Sequence, residues 1–101
     1  MYICGWYEVV ETTDQVTNKV GPGFGDTHAE YVPSLSSLVA RMSNIAKEHC
    51  DAALPSIEDE DARTEHINRW ASHATTMRMN PSNHQQIAGP DGRIYWWLKL
   101  V

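Results

Sequence analysis

The chain is predicted to fold as an α+β domain: an antiparallel sheet of about four to five strands from both chain ends, with two central helices packed on one face. Three observations predict it. Aromatic and β-branched residues crowd both ends, in "YICGWYEVVETT" and "RIYWWLKLV", as strands favour. A helical apolar period occupies the middle, and turn-forming clusters of Gly, Pro and Asn separate the segments. At 101 residues, one domain spanning residues 1–101 with a single core is expected.

Residues 1 to 13 read as the first strand, "TTDQ" as a turn, and Val16, Asn18 and Val20 as the start of a returning strand. The glycine-rich stretch "VGPGFGD" reads as a loop, and "HAEYV" as a short third strand ended by Pro33. From Ser34 the period changes. Leu35, Leu38, Val39, Met42, Ile45, Ala46 and His49 fall on one helical face, with Pro33 and Ser34 as the start signal and Pro55 as the stop. A second helix opens at Ser56 and Asp59 as a variant capping box, with acids in its first turn; Ile67, Trp70, Ala71, Ala74 and Met77 form its stripe and Pro81 ends it. Gly89-Pro90-Asp91-Gly92 suits a type I turn and closes a terminal hairpin.

The fractions of 42% hydrophobic and 21% charged residues are those of an ordered globular chain. No basic residue precedes Lys19 and no run reaches the length of a membrane span, so a cytoplasmic protein with no membrane partner is expected. Cys4 and Cys50 lie far apart without C-x-x-C spacing. Two buried free thiols are the expected state and a single disulfide the alternative.

The formal net charge is −5, which argues against direct nucleic-acid binding because phosphate contacts need a positive footprint. The excess is local. Lys47 to Glu65 carries seven acids and two bases, whereas the remaining six acids and six bases cancel. Within it, Glu58, Asp59, Glu60 and Asp61 read either as a solvated, dipole-favoured helix start or as an electronegative patch for a basic partner.

Three chemistries fail on spacing. Gly21, Gly23 and Gly25 depart from the dinucleotide fingerprint, and no helix or lysine follows as a phosphate cradle requires. His66 and His73 stand seven residues apart, about 10 Å along a helix, too far to share one ion. His49 and Cys50 are adjacent, so on a helix they point about 100° apart rather than facing each other as a nucleophile and base would. Asp26, His28 and Glu30 alternate and would share one strand face, a donor set for a divalent cation; a solvated edge strand gives the same pattern. No catalytic residue, cofactor or metal is therefore assigned, and Asp26, His28 and Glu30 are the only set to test against a metal.

The terminal strands carry aromatic residues on both faces. Ile94, Trp96, Leu98 and Leu100 form one row and Tyr95, Trp97, Lys99 and Val101 the other. The first row is the more apolar and is expected inward, with Trp96 in the core. Tyr7, Tyr95 and Trp97 are then the exposed aromatic surface, which suits a protein partner.

The expected function is therefore a small acidic protein-binding module, not an enzyme, acting through Tyr7, Tyr95 and Trp97, through Glu58, Asp59, Glu60 and Asp61, or through both. An inhibitor of the phage or mobile-element type, anti-CRISPR-like in action, that occupies a basic nucleic-acid-binding surface of its partner fits these features. The alternatives are a small enzyme or metal-binding domain using the Gly21 to Glu30 loop with a histidine, and a structural homo-oligomer in which the aromatic faces pair as a homodimer.

Overall fold

The computed structural model describes residues 1–79 and 84–100. Strands β1 (Tyr2–Thr13) and β2 (Val20–Val32) form a long hairpin. Helices α1 (Leu35–Ala53) and α2 (Glu60–Met79) follow, joined through a 3-10 turn at Leu54–Ser56, and strands β3 (His84–Ala88) and β4 (Ile94–Lys99) complete the chain. The strands make one antiparallel sheet in the order β2-β1-β4-β3, so the first and last strands pair at its centre. Both helices cover one face, giving a slab of 45 × 42 × 18 Å. The predicted α+β architecture is the observed one.

Local chemistry sets the helix ends. Ser34 caps α1 by accepting the Ser37 N–H at 3.2 Å, and Asp59 caps α2 by accepting the Ala62 N–H at 2.8 Å, each satisfying one orphan donor of a first turn. The Ser56–Asp59 capping box does not form, because the Ser56 hydroxyl instead donates back to the Ala53 carbonyl in the 3-10 turn. Arg63 ties that connection together by donating to the carbonyls of Leu54 and Ile57. On α2 the buried residues are Trp70, His73 and Met77, while Ile67 and Ala71 are exposed; the stripe turns toward the sheet through a histidine that apolar periodicity overlooks. Leu35, expected on the stripe of α1, is exposed, and Cys50 is buried in its place. Pro81 and Val101 lie outside the described residues.

The glycine stretch is not a loop. It is the first half of β2, and a six-residue turn from Asp14 to Lys19 precedes it, held by Asp14 accepting the Val16 N–H at 2.8 Å. The N-terminal half thus holds two strands where three were predicted. A strand forms because β1 supplies a ladder partner for every residue from Val20 to Phe24, and a Cβ on Gly23 would lie 2.4 Å from Thr12 Cγ2. Pro22 is tolerated because β2 is an edge strand. The register slips once, where Gly25 and Asp26 together oppose Glu8, a β-bulge.

The core lies between sheet and helices. Cys4, Tyr95 and Trp97 from the central strands meet Leu38, Met42 and Ile45 of α1 and Trp70 and Met77 of α2. Both cysteines are free and buried, and burial pushes the Cys4 thiol up to about 11. At Gly5 the two central strands and β2 crowd together: a Cβ there would lie 1.9 Å from the His28 carbonyl oxygen. Gly5→Ala is therefore expected to destabilise the fold by about 1–3 kcal/mol, the usual cost of overpacking, read as a lower urea midpoint with an unchanged slope. An unchanged midpoint would contradict the close approach.

Candidate interaction surface

Cross-strand partners share a sheet face, so the register sorts every strand residue. The rows Glu30–Cys4–Trp97 and His28–Trp6–Tyr95 point at the helices. The rows Tyr31–Ile3–Leu98, Ala29–Gly5–Trp96 and Thr27–Tyr7–Ile94 point away from them, and Phe24 opposite Val9 prolongs that face onto the β1–β2 ribbon.

This reverses the expected orientation of β4. Tyr95 is 0% exposed and Trp97 2%, so both belong to the core, whereas Trp96 sits on the uncovered face. The reason is polar. Apolarity alone favours the row of Ile94, Trp96 and Leu98 for the interior, but the inward row carries its own partners. The Tyr95 hydroxyl lies 2.5 Å from His49 Nδ1 of α1 and donates to Asp91 Oδ2 at 3.4 Å. Beside it on β2, Glu30 accepts from Arg41 of α1 and pairs with His28 at 2.8 Å. These contacts tie the sheet to α1 and hold the Glu30 carboxyl below its usual range, chiefly through the Arg41 hydrogen bond. Burial and the neighbouring Asp91 push the Tyr95 hydroxyl well above its ordinary value.

Of the residues expected to contact a partner, only Tyr7 lies on the open face, where its ring meets Phe24 edge-on at 5.4 Å and its hydroxyl accepts from Gln86 Nε2 at 2.6 Å. The signal for the missed residues was present as alternation; the register that selects the face was not. Phe24 is 77% exposed, Tyr31 68% and Leu98 41%. Tyr7, Phe24, Thr27, Ala29 and Trp96 bound a hollow of about 430 Å³, together with Trp6 and His28. No charged residue falls in the rows from Tyr31–Ile3–Leu98 to Phe24–Val9.

The acids lie elsewhere. Glu58, Asp59, Glu60 and Asp61 are all exposed at the start of α2, in the helical layer. Asp59 is engaged as the cap. Asp26, His28 and Glu30 do not converge: the bulge takes Asp26 out of the alternation, Glu30 is committed to Arg41 and His28, and among the described residues no three His, Cys, Asp or Glu side chains group to hold a metal. Also among the described residues, no helix is long and apolar enough to cross a membrane.

A second concavity, of about 710 Å³, separates α2 from the β3–β4 hairpin and is lined mainly by polar residues such as Asn68, Ser72 and Thr76. His73 borders it, 6% exposed, and its Nε2 has no hydrogen-bond partner among the described residues. Its ring packs on Tyr95 at 4.7 Å and edge-on to Trp70 at 5.6 Å.

No protein-family model matches this chain, and no curated protein or solved structure matches it significantly.

Burial lowers the proton affinity of both His49 and His73. Around His49, Arg93 lowers it further and Asp91 and Glu48 oppose; around His73, Asp91 alone opposes. A histidine depressed in the folded state costs nothing above its unfolded value near 6.5, and its stability contribution is lost as pH falls below that value, because the unfolded chain takes up protons first. The melting temperature is expected to hold between pH 8 and 7 and to drop by several degrees by about pH 5.5, with the drop reduced in His73→Gln. An equal melting temperature at pH 7 and 5.5 would contradict a buried His73 and a half-buried His49 held neutral.

Proposed function

We propose that this protein is a protein-binding module whose contact surface is the uncovered face of its sheet. One observation carries the reading: from the row Tyr31–Ile3–Leu98 to the pair Phe24–Val9 that face is aromatic and free of charge, and no other element among the described residues covers it. Interface cores have the same chemistry, enriched in aromatic side chains and depleted of charge, and rigid aromatic anchors bury much area for few rotors. Free buried thiols suit a reducing compartment, in keeping with a cytoplasmic setting.

The acidic start of α2 gives the module its second surface. Glu58, Glu60 and Asp61 are exposed and lie in the helical layer, so they remain available when the sheet face is occupied. An inhibitor that presents these carboxylates to a basic, nucleic-acid-binding partner uses both features. Charge there speeds association and weakens with salt.

A photo-crosslinking residue placed at Tyr31 is expected to give discrete protein adducts in cells, and one placed at exposed Thr75 on α2 none of those bands. Identical or absent adducts at the two positions would overturn the reading. For the acidic surface, Glu58→Lys, Glu60→Lys and Asp61→Lys together, with Asp59 kept for its cap, are expected to slow partner association about tenfold at low salt. An unchanged association rate would remove the acids from the contact.

A further inference from the structure

We infer that the occupant of the open sheet face is a second copy of this chain, packed face to face about a twofold axis; the inference rests on the reading of that face as a protein-contact surface. Charge is the first argument. Two copies carrying −5 each repel, and the rows from Tyr31–Ile3–Leu98 to Phe24–Val9 can be brought together without setting like charges opposite one another. A basic partner would gain nothing from this face and would be drawn to the start of α2 instead.

Area is the second argument. Four strands about 4.8 Å apart, paired over five or six residues and prolonged along the ribbon to Phe24, cover roughly 450 Å² in plan. The relief of Phe24 and Tyr31, the two most exposed rings of the face, raises the accessible area to roughly 600 Å², the lower end of what each partner buries in a specific pair. Such a dimer dissociates on dilution. Shape supplies the register: sheets packed face to face interdigitate their side chains, and the hollow of about 430 Å³ bounded by Tyr7, Phe24, Thr27, Ala29 and Trp96 receives Tyr31 of the other copy. The arrangement leaves both acidic helix starts facing outward, one at each side of a four-layer assembly.

Light scattering behind a sizing column, across a wide dilution series, tests this. The full chain is expected to approach twice 11.4 kDa when concentrated and to fall toward the monomer on dilution. Tyr31→Glu and, independently, Thr27→Glu place like charges across the twofold and are expected to weaken the dimer at least about a hundredfold while leaving the circular dichroism spectrum unchanged. Using two exposed positions keeps the test intact if one variant misfolds. A wild-type monomer at every concentration, or a dimer indifferent to both substitutions, overturns the inference. The Tyr31 crosslink then separates the two claims: adducts to a different protein with a monomeric wild type leave the contact surface standing and remove self-pairing, and no adducts with a monomeric wild type removes both.

Discussion

The antiparallel pairing of β1 with β4 is the constraint on which the rest depends. It joins the two ends of the chain at the centre of the sheet, down to the Leu100 N–H donating to the Met1 carbonyl at 2.9 Å. It also sets Cys4 opposite Trp97 and Trp6 opposite Tyr95. A thiol beside an indole leaves room for the larger ring under α1, and both are essentially inaccessible. Because side chains alternate, fixing those two pairs also fixes Gly5–Trp96 and Tyr7–Ile94 on the opposite side. A one-residue slip would exchange core and surface completely.

Much of the architecture was legible in the sequence. The period of α1, its Ser34 cap, the Gly89–Gly92 turn and the terminal strands all follow from local rules, and all form. What was not legible is long-range. Trp96 and Trp97 are neighbours of equal hydrophobicity, and summed apolarity favoured the wrong one. The inward row is stabilised by contacts that join residues far apart in the chain, His49 with Tyr95 and Glu30 with Arg41, and one strand read alone cannot reveal them. The glycine segment failed for a related reason: local propensity says loop, whereas eleven of the thirteen residues of β2 pair along β1, and the missing side chains at Gly23 and Gly25 make room for Thr12, Glu8 and Val10.

The same polar contacts divide the molecule's surfaces. The Glu30–Arg41 ion pair and the ring contacts of Trp6, His49, Trp70, His73 and Tyr95 collect between sheet and helices, with Arg93 lying 4.8 Å over the Trp6 ring and pairing with Glu8 and Asp91. The opposite sheet face keeps its aromatic residues and, from Tyr31–Ile3–Leu98 to Phe24–Val9, no charge, while the excess negative charge stays at the α1–α2 connection and the start of α2. A two-layer slab with one bare face and one acidic edge therefore has two contact chemistries at separate places, one apolar and one electrostatic. Substitutions at one are expected to leave the other intact, since sites in different layers that do not touch act independently.

The most direct measurement of the central claim is hydroxyl-radical footprinting resolved to single residues, in the most dilute sample that can be read. The face assignment predicts strong modification of Tyr31 and Trp96 and protection of Tyr95 and Trp97. Protection of Trp96 with modification of Trp97 would contradict it, and would return the sheet to the orientation that hydrophobicity alone suggests.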